Sequence, residues 1–141
     1  MIRWLNRLQP WGLFFVRVVL GIAMTYHGYT KLIPASGLHR AHPLAGFEIW
    51  NHYVATLGLP YWLGYVSLLT ELLGGLLLIL GLLTRFAALM VTGNMLVALI
   101  LVNLRHGYAS SEYTLALIVM AFLLLLTGSG ALALDRKFGL S

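Results

Sequence analysis

Cysteine is absent from the 141 residues, so disulfide exchange, thiolate catalysis and iron–sulfur ligation lie outside this chain's own repertoire. Any redox chemistry needs a cofactor or a partner. Charge is scarce as well: charged residues are 9% of the total, nine of them Lys or Arg and only four Asp or Glu. The resulting surplus of +5 is first explained by membrane topology and anionic lipid, and nucleic acid is not an expected partner. There is no internal repeat and no low-complexity tract. Gly74, Gly75 and Gly81 follow no strand and precede no Walker lysine, so they read as helix-packing residues and not as a phosphate loop.

What the chain has is apolar surface. Hydrophobic residues make up 60% and mean hydropathy is +0.89, the composition of an integral membrane protein. A spanning helix takes roughly 20 residues, so the length holds about four. We read spans at about 11–30, 62–83, 86–104 and 113–127, giving an all-α, polytopic four-helix membrane bundle in a single domain, 1–141. Arg3 and Arg7 before an apolar run resemble the start of a signal peptide, but Arg17 interrupts that run, so it is read as a retained first helix. In the loop after it, Phe47, Trp50, Tyr53, Val54 and Leu57 recur at helical spacing and predict a short interfacial helix.

Basic residues set the orientation. Arg3, Arg7, Arg85, Arg136 and Lys137 fall on one side, against Lys31, Arg40 and Arg105 on the other. This bias places both termini in the cytoplasm and the long loop outside. Trp4, Trp11, Trp62, Tyr65, Tyr108 and Tyr113 mark the span ends as an aromatic belt would.

Arg17 and Glu71 stand inside spans, where a charge needs a partner or a polar cavity. At 100° per residue, Arg17, Met24, His27 and Lys31 share one face of the first span. Gly64, Ser67, Glu71, Gly75 and Leu78 share one face of the second, so the acid points into the bundle among small residues. Asn94 on the third should also face inward. A direct Arg17–Glu71 bridge is one expectation. Tyr26, His27, Lys31, Arg105, His106 and Glu112 converge on the outer half and suggest an outward-facing polar pocket above Glu71. The candidate ligand-binding set is therefore Arg17, Tyr26, His27, Lys31, Glu71, Asn94, His106 and Glu112. The structural alternatives are an ion pair that fixes helix register and, for Asn94, an interhelical hydrogen bond. No metal site is expected: His39, His42 and His52 lack acidic or thiol company. Haem ligation by His27 and His106 ranks below a quinone ligand.

The order of motifs is similar to that of the DoxX family of small four-helix bacterial membrane proteins, over nearly the whole chain. Arg17-Val18-Val19-Leu20-Gly21 precedes His27-Gly28-Tyr29-Thr30-Lys31-Leu32, resembling the family's Arg, Gly, then His-Gly-x-x-Lys-Leu pattern. Gly58-Leu59-Pro60, Glu71-Leu72-Leu73-Gly74-Gly75 and Leu80-Gly81-Leu82-Leu83-Thr84-Arg85 follow. Glu112-Tyr113, Gly128-Ser129-Gly130 and Leu134-Asp135 resemble the fourth helix and its closing turn. The resemblance implies a bacterial inner-membrane protein with a role on the quinone side of a redox system, or as a redox partner, because the namesake subunit belongs to a thiosulfate:quinone oxidoreductase. The leading expectation is a membrane subunit or small-ligand module binding a quinone-like molecule, with electrons supplied by a partner protein. The rival is a non-enzymatic assembly or transport protein that forms homo-oligomers through its small-residue faces.

Overall fold

The structure, a computed structural model, describes residues 3–33 and 44–140. Helices cover 84% of these, with no strand among them. In chain order they are α1 (Arg3–Leu32), α2 (Ala45–Thr56), α3 (Leu63–Leu80), α4 (Thr84–Leu101), a 3-10 turn (Asn103–His106), α5 (Tyr108–Thr127) and α6 (Leu134–Phe138). Four segments are long and apolar enough to cross a bilayer: α1, α3, α4 continued through the 3-10 turn, and α5. The chain is a multi-pass membrane protein, and its outward faces suit lipid, with Phe15, Ile22, Leu73, Ile100 and Val119 all exposed. The inward faces meet in a core of Leu20 and Met24 from α1, Leu78 from α3, Val91 from α4, and Leu117 and Leu124 from α5.

Successive spans alternate in direction, so the bundle has two ends. The N-terminus of α1, the α3–α4 turn and α6 lie at one, here the tail end. The C-terminus of α1, α2 and the start of α5 lie at the other, the loop end. Helices α1 and α3 approach most closely where small residues face each other. A Cβ on Gly75 would stand 2.5 Å from the Thr25 nitrogen and 2.8 Å from the Gly21 carbonyl oxygen. Only hydrogen fits there, which is how small-residue faces let membrane helices approach.

Helix α2 forms where the apolar spacing predicts an interfacial helix. It packs over α3 with Phe47 stacked on Tyr65, ring centroids 5.4 Å apart, and Asn51 buried against Gly64. Two boundaries differ from expectation. Helix α1 begins at Arg3, not near residue 11, because the polar turns around Arg3, Arg7 and Gln9 are helical without being apolar, and hydropathy registers only the immersed part. Helix α5 begins at Tyr108 and not near residue 113, with Ser110 and Ser111 hydroxyls donating to the Gly107 carbonyl and so engaging the backbone of the helix start.

Helix α6 was not anticipated. It delivers Asp135 to the start of α4, where the carboxylate accepts from the N–H groups of Leu83 (2.6 Å) and Thr84 (2.8 Å). Those amides are among the unpaired donors at any helix N-terminus. Gly81 closes α3 in the left-handed region at φ 65°, and the Leu82 N–H reaches back to the Leu77 carbonyl, a Schellman arrangement.

Candidate functional site

Backbone geometry decides how the intramembrane charges pair. In any helix the Cα–Cβ bonds tilt toward the N-terminus. Helix α1 runs toward the loop end and α3 runs away from it, so Lys31 on α1 leans back into the membrane while Glu71 on α3 leans up toward it. They meet: Lys31 Nζ donates to Glu71 Oε1 at 2.5 Å. Asn94 Nδ2 donates to the same oxygen at 3.0 Å, tying α4 to the pair. Lys31 also sits 3.7 Å from the centre of the Trp50 ring on α2, a cation–π contact favoured away from water. His27 shares a 3.2 Å hydrogen bond with the Tyr113 hydroxyl, joining α1 to α5.

The expected Arg17–Glu71 bridge is not formed. The same tilt that brings Lys31 down to Glu71 leans Arg17 away from it, toward the tail end, where its guanidinium would lie against any Cβ placed on Gly81. Gly81 is ten residues beyond Glu71, about 15 Å along a helix axis. There, fully buried, Arg17 donates to the Ser129 and Leu132 carbonyls. It clasps the segment after α5 and takes no part in the site around Glu71.

Around the Lys31–Glu71–Asn94 cluster lies a cavity of about 530 Å³, within the size range of small-molecule sites. Lys31, Glu71, Asn94 and His27 line its polar part, and Trp50, Tyr53 and Leu57 cover it from α2 and the turn after it. Its long wall runs between α3 and α4, where Val66, Leu89 and Val97 line the cavity and are also exposed on the lipid-facing surface. Glu71 is almost wholly buried, yet its Oε2 has no hydrogen-bond partner, and neither has the Trp50 indole nitrogen. A buried polar atom without a partner costs free energy, and both residues that carry one line the cavity.

Four of the eight candidate residues are thus gathered: His27, Lys31, Glu71 and Asn94. Arg17 lies at the opposite end. Tyr26 is exposed, edge-on to His27. His106 is exposed, with Nδ1 2.8 Å from the Val102 carbonyl oxygen, and Glu112 is exposed. None of these three lines the cavity. Trp50, Tyr113 and Thr114 do. Sequence reasoning assigned Tyr113 to the aromatic belt and Trp50 to the interfacial helix, and their spacing says nothing about a shared cavity. His39 and His42 lie outside the described residues, among which no three metal-ligating side chains cluster.

The model of the DoxX family matches residues 12–104. The chain belongs to the DoxX family. The matched stretch includes Arg17 and all four gathered residues, whereas Tyr113 lies beyond it. Among related proteins, the Bacillus subtilis (strain 168) protein named "Putative oxidoreductase CatD" is 30% identical over 132 residues, covering 93% of this chain and 90% of that one. The Escherichia coli (strain K12) "Inner membrane protein YqjF" is 27% identical over 136 residues, covering 94% of this chain and 95% of that one. No solved structure matches the chain significantly.

Proposed function

We propose that this DoxX-family protein acts as a single membrane module of a redox system and binds a quinone-like amphipathic molecule in the cavity between α3 and α4. The observation that carries the reading is the unpartnered Glu71 Oε2 at the polar end of an otherwise apolar, laterally exposed cavity. A quinone needs apolar walls for its ring and tail, donors for its carbonyls and an acceptor for its proton when reduced. Lys31, Asn94 and His27 supply donors, and Glu71 Oε2 accepts from a quinol hydroxyl. Entry between Val66 and Val97 lets the ligand arrive from the acyl chains. Electrons come from a partner protein, in keeping with the lack of cysteine here and with the oxidoreductase name carried by the B. subtilis relative. The cavity end faces away from the cytoplasm, as the basic-residue bias suggests.

Titration of a short-chain quinol analogue into the detergent-solubilised protein, read by tryptophan fluorescence, tests the reading, since Trp50 lines the cavity. Saturable binding is expected, weakened roughly three- to tenfold by Glu71→Gln or His27→Phe, the size of one lost hydrogen bond. Absence of saturation, or wild-type affinity in both variants, would overturn the ligand reading in favour of an assembly role.

A further inference from the structure

The tail end carries a second concavity that the redox reading does not use. It measures about 260 Å³ and is lined by Gln9, Pro10 and Leu13 of α1, Thr127 to Gly130 after α5, Arg85 at the start of α4 and Arg136 on α6. Four separate segments build it. Its two charged walls are both arginine, and neither has a carboxylate within ion-pair distance among the described residues. The Arg85 guanidinium is held close over the Gly128 backbone, 3.6 Å from where a Cβ would stand. Gly128 and Gly130 adopt φ of 87° and 71°, a turn that L side chains resist. Ser129 between them lines the groove, is 3% exposed, and has a buried hydroxyl with no hydrogen-bond partner.

We propose that this groove binds a phosphate group at the membrane surface. Two guanidiniums with planar donor forks match phosphate oxygens in charge and geometry, and a buried hydroxyl with no partner gains one. The volume is below that of typical drug-sized sites and suits a headgroup-sized anion. The level is also right, because the groove forms where α5 ends and α4 begins, at the boundary between hydrocarbon and water. Arg3, Arg7 and Lys137 share the tail end and raise the local concentration of anions without forming the groove. Both an anionic lipid headgroup and free inorganic phosphate carry the required chemistry.

The test uses the full chain in a neutral detergent, with two probes, dihexanoyl phosphatidylglycerol and inorganic phosphate. Retained adducts are counted by native mass spectrometry and confirmed by the ligand-dependent rise in melting temperature. One saturable equivalent is expected, weakened about tenfold by either Arg85→Gln or Arg136→Gln, the effect of losing one charge-assisted hydrogen bond. Lys137→Gln, which removes an equal charge outside the groove, should leave affinity within about twofold. Saturation by the lipid alone identifies a headgroup site, and saturation by phosphate as well identifies a site for the free anion. Both arginines are exposed, so the unliganded variants should melt like the wild type. The proposal is overturned if neither probe saturates, if the arginine variants bind like the wild type, or if Lys137→Gln weakens binding as much as they do.

Discussion

At the residue scale the bundle contains two separate solutions to a buried charge. Glu71 is neutralised by Lys31, a side chain from another helix, and removing either partner leaves the other exposed to low dielectric. We expect Lys31→Met and Glu71→Gln each to destabilise the protein by a few kcal/mol and the double variant to recover much of the loss, since a buried pair is costly to break and cheap to replace whole. Thermal unfolding in detergent across the four proteins measures the coupling, and additive losses would refute it. Arg17 is held by backbone carbonyls through its two Nη atoms, while its Nε has no partner. Arg17→Met should cost roughly 2–5 kcal/mol by stranding the Ser129 and Leu132 oxygens, and that loss should add simply to the cost of Glu71→Gln, because the two share no partner. The inward direction of Glu71 was legible from its small-residue face. The identity of its partner was not: equal spacing on α1 offers Arg17 and Lys31 alike, and only the opposed tilts of antiparallel helices choose between them. Arg17's partners were illegible for another reason, since carbonyl acceptors leave no mark on residue identity.

At the scale of elements, the contact between α1 and α3 and the capping of α4 by Asp135 are close and specific. Gly75→Ala forces a methyl group to within 2.5 Å of a backbone nitrogen; overpacking of this kind costs about 1–3 kcal/mol. By contrast, a Cβ at Gly12 meets nothing within 4 Å, so Gly12→Ala should be neutral or slightly stabilising. Comparing the two melting temperatures separates steric from propensity effects, and equal shifts would contradict the close approach. Asp135→Ala should cost about 1–2 kcal/mol, as the loss of a cap usually does, and should increase hydrogen exchange at Leu83 and Thr84 specifically. The four spans could be read from hydropathy, and the interfacial helix from its aromatic spacing. Helix α6 could not, because five residues carry no periodic signal and its role rests on one carboxylate reaching a helix start about fifty positions earlier in the chain.

At the scale of the whole molecule, α1 contacts α2, α3 and α5 and carries Lys31 near its loop end and Arg17 near its middle. Reporter fusions in the loop before α2 and after α6 should place the two in opposite compartments, the former outside the cytoplasm; a cytoplasmic signal from that loop would reverse the orientation drawn from the basic residues. The clasp on Arg17 bears on how the chain is made. Its acceptor Ser129 lies 112 positions later, and at 5–20 residues per second the ribosome takes on the order of ten seconds to reach it. For that interval the first helix resides in the bilayer with an unpaired guanidinium, a burden of about 2.5–3.5 kcal/mol on insertion scales. Early insertion of α1 therefore carries a cost that its clasp can lift only once the turn beyond α5 has been synthesised.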